Sequence, residues 1–180
     1  MPDSSRAAIG GMTLFIPDGR SVMLDQYAGA TLVVQFVRYF GCLPCQVHLR
    51  DLDDRSGELA AVRARAITVG GSADYQARWL REAGIAIPLL LDPDERLRDR
   101  VGFGDLSGRQ LLSPRSIRNY LSAIVAGVGP QRPTADAKRS PGIAIFDAGL
   151  DLRWTHEGKA LGDYLPLEAV LAAVRSIATS

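Results

Sequence analysis

Residues 31–39 (TLVVQFVRY) form an almost unbroken run of β-branched, aliphatic and aromatic side chains, which stops at Phe40-Gly41, directly ahead of Cys42-Leu43-Pro44-Cys45. A run of that length and composition predicts a strand covered on both faces, of the kind found inside a largely parallel sheet. Phe40-Gly41 breaks the strand, and the cysteine motif opens a helix reaching to about residue 61. Pro44 is at home in a first turn, where an N–H has no helical partner to lose. Val47, Leu49 and Leu52, with Leu59 beyond, supply the apolar side of that helix. Two thiols three positions apart therefore stand where a buried strand meets a helix N-terminus.

The remaining pattern alternates in the same way. Residues 12–16 and 21–24 read as a hairpin around Pro17-Asp18-Gly19-Arg20. Residues 64–70 are a second buried strand ending in Gly70-Gly71, with Ser72 as N-cap of an amphipathic helix to about residue 83. A third strand lies within 85–91, with Pro88 at its start or at a bulge. Asp92-Pro93-Asp94-Glu95 then supplies an N-cap, a first-turn proline and an acid three residues after the cap. The stretch 104–140 is the least regular and reads as an insertion. It carries a helix over 113–125 with Ile117, Leu121, Ile124 and Val125 on one side, then a Gly/Pro-rich run and a polar one. A hairpin over 143–154 turns at Asp147-Ala148-Gly149, and residues 166–177 form a closing amphipathic helix. Strands alternating with helices predict an α/β chain, with a mixed central sheet flanked by helices and one domain over 1–180.

Composition narrows the function. A chain of 180 residues with 47% apolar content can bury one sizeable core. Its 21 basic and 20 acidic residues leave a net charge of +1, which gives no electrostatic case for nucleic acid or an anionic membrane. No stretch approaches the roughly 18 apolar residues of a membrane span. Residues 1–11 lack a secretory pattern, so a cytoplasmic setting is expected. Two close cysteines in such a chain point to redox or metal chemistry and away from a disulfide scaffold.

The position of the pair suits thiol chemistry. Thiolate is the reactive form, and a helix N-terminus stabilises it with unpaired N–H groups and partial positive charge. The two-residue spacer lets one sulfur resolve a mixed disulfide formed on the other. Arg38, if turned toward the pair, lowers the thiol pKa further. A metal is an alternative, because Cys42, Cys45 and His48 could share one helical side, and inert buried thiols are another. Gln46 stands where haem attachment needs histidine. His48 and His156 are expected at the surface. Tyr39 and Phe40 would form either an apolar rim for substrate or core. Arg115, Arg118 and Arg132 read as a solvated face or as contacts to an anionic substrate. Gly70-Gly71 lacks the further glycines of a dinucleotide loop.

The segment 33–52 (VVQFVRYFGCLPCQVHLRDL) resembles the active-site region of the peroxiredoxin-like, AhpC/TSA-type branch of the thioredoxin superfamily. Residues 87–103 (IPLLLDPDERLRDRVGF) are similar to that family's strand-Asp-Pro-Asp-helix passage, and 141–149 (PGIAIFDAG) to the strand after the superfamily's cis-proline. The resemblance implies a thioredoxin-like fold with Pro141 as a cis-proline beside the cysteines. Three departures go with it. If Cys45 is peroxidatic, Cys42 replaces the family's Thr or Ser, and Pro141 replaces its arginine, with Arg139 two residues away. Gln35 stands where thioredoxins carry a buried acid. The leading expectation is a disulfide reductase in which the more exposed Cys42 attacks and Cys45 resolves. The second is a peroxidase with Cys45 oxidised and Cys42 resolving, on hydroperoxides or lipid peroxides. The third is a non-catalytic interaction module, with or without bound zinc. No organic cofactor is required. A thioredoxin or glutathione system would return the electrons, and a homodimer fits the family.

Overall fold

All six side chains of the central strand are buried because its pleat divides them between opposite layers. Leu32, Val34 and Phe36 enter one apolar cluster with Ile67, Leu90, Phe103 and Phe146. Val33 enters the other, with Leu49, Leu52, Ile145 and Val170. The computed structural model describes residues 8–71, 73–127 and 131–178. In chain order its elements are β1 (Thr13–Phe15), β2 (Ser21–Met23), β3 (Thr31–Phe36), α1 (Leu43–Asp54), α2 (Ser56–Ala61), β4 (Ala64–Gly70) and α3 (Asp74–Glu82). β5 (Leu89–Leu91), α4 (Arg96–Val101), α5 (Gly108–Leu111), α6 (Pro114–Val125), β6 (Gly142–Phe146), β7 (Leu152–Glu157) and α7 (Leu167–Ala178) follow. One sheet runs β2-β1-β5-β4-β3-β6-β7. β3, β4 and β5 are parallel, and the hairpins at either edge add antiparallel strands. This is the mixed α/β sheet expected, in the thioredoxin-like arrangement.

Several boundaries differ from the expectation. The long helix after the motif is broken at Arg55, where the backbone leaves helical geometry (φ −103°, ψ 17°) just ahead of the Ser56-Gly57 pair. Ser72 lies outside the described residues, and the cap position of α3 is Ala73, with no side-chain bond. α4 starts at Arg96, later than Pro93, because Glu95 takes a left-handed conformation (φ 56°). Asp92 still caps it: its carboxylate accepts from the N–H groups of Arg96 (3.0 Å), Leu97 (2.8 Å) and Arg98 (3.3 Å).

Pro141 is not cis, since every peptide bond among the described residues is trans. Trans is the lower-energy state of an X-Pro bond. The flanking groups already have extended-chain partners: Ser140 N–H donates to Gly104 O (3.0 Å), and Gly158 N–H donates to Pro141 O (2.7 Å). Between β5 and β6, α6 packs against α1 and turns Ile117, Leu121, Ile124 and Val125 outward, so the apolar side read from the sequence is exposed. Among the described residues no helix is long and apolar enough to cross a membrane.

Candidate active site

The site forms where β3 gives way to α1. Val37 N–H still bonds to Val69 O (2.9 Å), which carries the strand past its last ladder residue, and the chain then turns through 38–41. Gly41 makes that turn possible. Its N–H donates to Gln76 Oε1 (2.9 Å), and a Cβ there would meet Gln76 Nε2 at 2.6 Å and Gln131 Cβ at 2.8 Å. Cys42 is the N-cap of α1 and Pro44 sits in its first turn, so the pair faces the positive end of the helix. Gln46 N–H closes the first helical bond to Cys42 O (3.0 Å).

The two sulfurs are hydrogen-bonded at 2.6 Å, and both cysteines are free. Neither is accessible: Cys42 is 1% exposed and Cys45 0%, so Cys42 is not the exposed thiol the sequence suggested. Arg38 is buried with them, its Nη1 3.7 Å from Cys42 Sγ and its guanidinium 5.6 Å from the centre of the Tyr39 ring. From β3, Gln35 Nε2 donates to Cys45 O (3.3 Å), while its Oε1 accepts from the Thr68 hydroxyl (3.0 Å). The residue that replaces a thioredoxin-type acid is thus a neutral brace between the strands and α1. Tyr39 and Phe40 are both buried and belong to the core, not to a rim.

The electrostatics separate the two thiols. Burial pushes the Cys45 thiol up, but the Cys42 hydrogen bond, the Arg38 charge and the Tyr164 hydroxyl together outweigh it and hold Cys45 down at about 7. Burial, the Cys45 hydrogen bond and the Cys45 charge push Cys42 up, against the pull of Arg38. The surroundings therefore favour the thiolate on Cys45 over that on Cys42.

Other expected residues lie apart from the sulfurs. Arg139 pairs with Glu95 and with Asp105 (2.8 Å), so it does not stand in for the family's arginine. Pro141 has its carbonyl on Gly158 N–H at the start of β6. His48 is half-buried, not fully exposed. Its ring stacks on Tyr164 (4.3 Å, 20°), its Nε2 meets Leu165 O at 3.2 Å, and its Nδ1 is buried with no hydrogen-bond partner among the described residues. Burial lowers its pKa to about 4, against the carbonyl's opposing pull. His156 is half-buried, with Nε2 3.2 Å from Asp163 O. Among the described residues no three His, Cys, Asp or Glu side chains converge as a metal site. Arg115 pairs with Asp163 (2.7 Å).

Tyr164 was missed by sequence reasoning. It sits in the segment between β7 and α7, its hydroxyl donates to Phe36 O (2.9 Å), and the same oxygen reaches the Cys45 thiol. The sequence offers only a tyrosine two residues ahead of Pro166. A groove of about 450 Å³ lies beside it, lined by Pro44, His48, Asn119, Tyr164 and Leu165 among others.

The chain is 30% identical over 147 residues to the prostamide/prostaglandin F synthase of Bos taurus, covering 79% of this chain and 73% of that protein. Peroxidoxin BcpB of Mycobacterium tuberculosis superposes with a TM-score of 0.64 at 15% identity, over 94% of this chain and 95% of that one. The exposed lipoprotein thioredoxin of Streptococcus pneumoniae superposes at 0.57 and 20% identity, over 92% and 98%. Residues 11–115 match the AhpC/TSA family, a span of more than half the chain that holds β1 to α5 and the whole cysteine motif. The chain therefore belongs to the AhpC/TSA family, in the peroxiredoxin-like branch of the thioredoxin fold.

Proposed function

We propose that the protein is a thiol-dependent peroxidase in which Cys45 attacks the hydroperoxide and Cys42 resolves the product. The observation that carries this reading is the unequal support of the two sulfurs. Cys45 lies within hydrogen-bond reach of Cys42 (2.6 Å) and of the Tyr164 hydroxyl and feels the Arg38 charge, which holds its thiol at about 7, whereas the Cys42 thiol is pushed up. The Cys45 thiolate attacks the terminal oxygen of ROOH, the O–O bond breaks, Cys45 becomes the sulfenic acid and RO⁻ departs. The Cys42 thiol, 2.6 Å away, is placed to protonate the alkoxide, which leaves Cys42 as thiolate for the second step. It attacks the sulfenic sulfur, the S–S bond forms, and hydroxide leaves as water after taking a proton. An external dithiol of the thioredoxin or glutathione system then reduces the disulfide and is itself oxidised. One relative is named for making a prostaglandin F, so apolar hydroperoxides belong beside hydrogen peroxide among the substrates to test.

A second reading, disulfide reduction with Cys42 attacking, draws on the 3.7 Å approach of Arg38 to Cys42. One experiment separates the two. Peroxide and disulfide turnover are measured side by side with thioredoxin and NADPH, in wild type and in Cys42→Ser and Cys45→Ser. The peroxidase reading expects peroxide turnover to vanish with Cys45 and a sulfenate to be trapped on Cys45 in Cys42→Ser. Disulfide turnover that vanishes with Cys42, with no sulfenate under excess peroxide, overturns it.

A further inference from the structure

Tyr164 packs against the apolar cluster that holds Cys42 and Cys45. Its hydroxyl carries one proton and has two acceptors within reach, Phe36 O at 2.9 Å and the Cys45 sulfur. While Cys45 holds its proton, the carbonyl is the better acceptor. Once the sulfur is anionic, a charge-assisted bond to it is the stronger of the two. Cys42 is approached instead by Arg38 Nη1, at 3.7 Å, and by the Cys45 backbone N–H.

The segment that presents this hydroxyl is fastened on three sides. The His48 ring lies flat on the Tyr164 ring at 4.3 Å. From α6, the Ser116 hydroxyl accepts from Leu161 N–H (2.9 Å) and Asn119 Nδ2 donates to Leu161 O (2.8 Å). Arg115 of the same helix pairs with Asp163 (2.7 Å), whose carboxylate also accepts from Lys159 N–H (2.8 Å). Gly162 has a positive φ of 64° and touches Pro44 so closely that a Cβ there would collide with the Pro44 Cβ. The segment is thereby seated against the first turn of α1.

We propose that Tyr164 is the positioning residue that places the negative charge on Cys45 rather than on Cys42, its hydroxyl turning from the Phe36 carbonyl to the sulfur as the thiol ionises. This rests on the reading of Cys45 as the attacking thiolate. In this arrangement α6 and the 158–166 segment serve to hold the donor in place. The other titratable groups about Cys45 are Cys42, Arg38 and Tyr39, all at the β3–α1 junction. His48, behind the tyrosine ring, stays neutral above about pH 4, and Asp163 is engaged by Arg115 and Lys159.

The test is the pH dependence of iodoacetamide alkylation of the full chain, with the modified sulfur located by mass spectrometry. It is run in wild type, in Tyr164→Phe, and with a fluorinated tyrosine placed at 164 alone. Phe keeps the ring on His48 and removes only the donor. Cys45 should take label first in wild type with a midpoint near 7. In Tyr164→Phe that midpoint should rise by about one pH unit, which slows alkylation at pH 6.5 about tenfold and leaves the rate above pH 9 unchanged. The fluorinated tyrosine, a stronger donor, should move the midpoint down, and it carries the test alone if Tyr164→Phe fails to fold. An unchanged midpoint in both variants, or a loss equal at every pH, overturns the proposal. If Cys42 takes label first in wild type, the underlying reading of Cys45 fails instead, whatever Tyr164 does.

Discussion

At the scale of single residues, Arg38 is the cation on which the thiol pair depends. It is buried, its Nη1 faces Cys42, and its Nε has no hydrogen-bond partner among the described residues, so its charge is only partly screened. Arg38→Met removes a charge that favours thiolate, so the Cys45 midpoint should rise from about 7. A rise of about one pH unit lowers the thiolate fraction at pH 7 from about a half to about a tenth, and alkylation or peroxide reduction slows in proportion. Above pH 9 the rates should converge, and stopped-flow rates across pH 6–10 check this. Cys42, Cys45, Arg38 and Pro44 were legible because they lie within one short stretch, whose spacing places them at a strand-to-helix turn. Tyr164 and His48 were not. The contact between them joins α1 to a segment near the end of the chain, and no local period links the two.

At the scale of elements, what could be read followed the strength of the local signal. The runs at 31–36 and 64–70 are apolar enough to mark their own strands, and Ser113-Pro114 begins α6 as a capped helix should, with the Ser113 hydroxyl accepting from Ser116 N–H. The start of α4 was displaced for a physical reason: Asp92 reaches over a left-handed Glu95 to cap from a distance. That makes Asp92 more than an ordinary cap, since three backbone N–H groups depend on one buried carboxylate. Asp92→Ala should therefore cost about 2 kcal/mol, the upper end for a lost cap. Urea unfolding should show it as a lower midpoint at unchanged slope. Asp92→Asn, which keeps an acceptor, should recover part of the loss. Pro141 carried the least local information, because cis and trans prolines share one sequence and only the partners around the chain choose between them.

At the scale of the whole molecule, the sheet separates two apolar layers, and the redox pair lies inside the layer that α1 and α7 cover. His48 belongs to this layer and is held neutral there, its pKa lowered from 6.5 to about 4 by burial. The unfolded chain takes up that proton at higher pH than the folded one, so stability is complete above about pH 6.5 and declines as pH falls toward 4. Because the ring is only partly buried, the decline should be on the order of 2 kcal/mol. His48→Leu should flatten it, as urea midpoints between pH 4 and 7 would show. The layer has a further consequence for turnover. With neither sulfur at the surface, a protein-sized reductant of the proposed cycle would reach the oxidised pair by an outward opening of the turn 40–44. On that reading the cycle would keep time by the opening of its own turn. Speed and local firmness are opposed at that one place, and a variant hardened there against heat would be a slower enzyme.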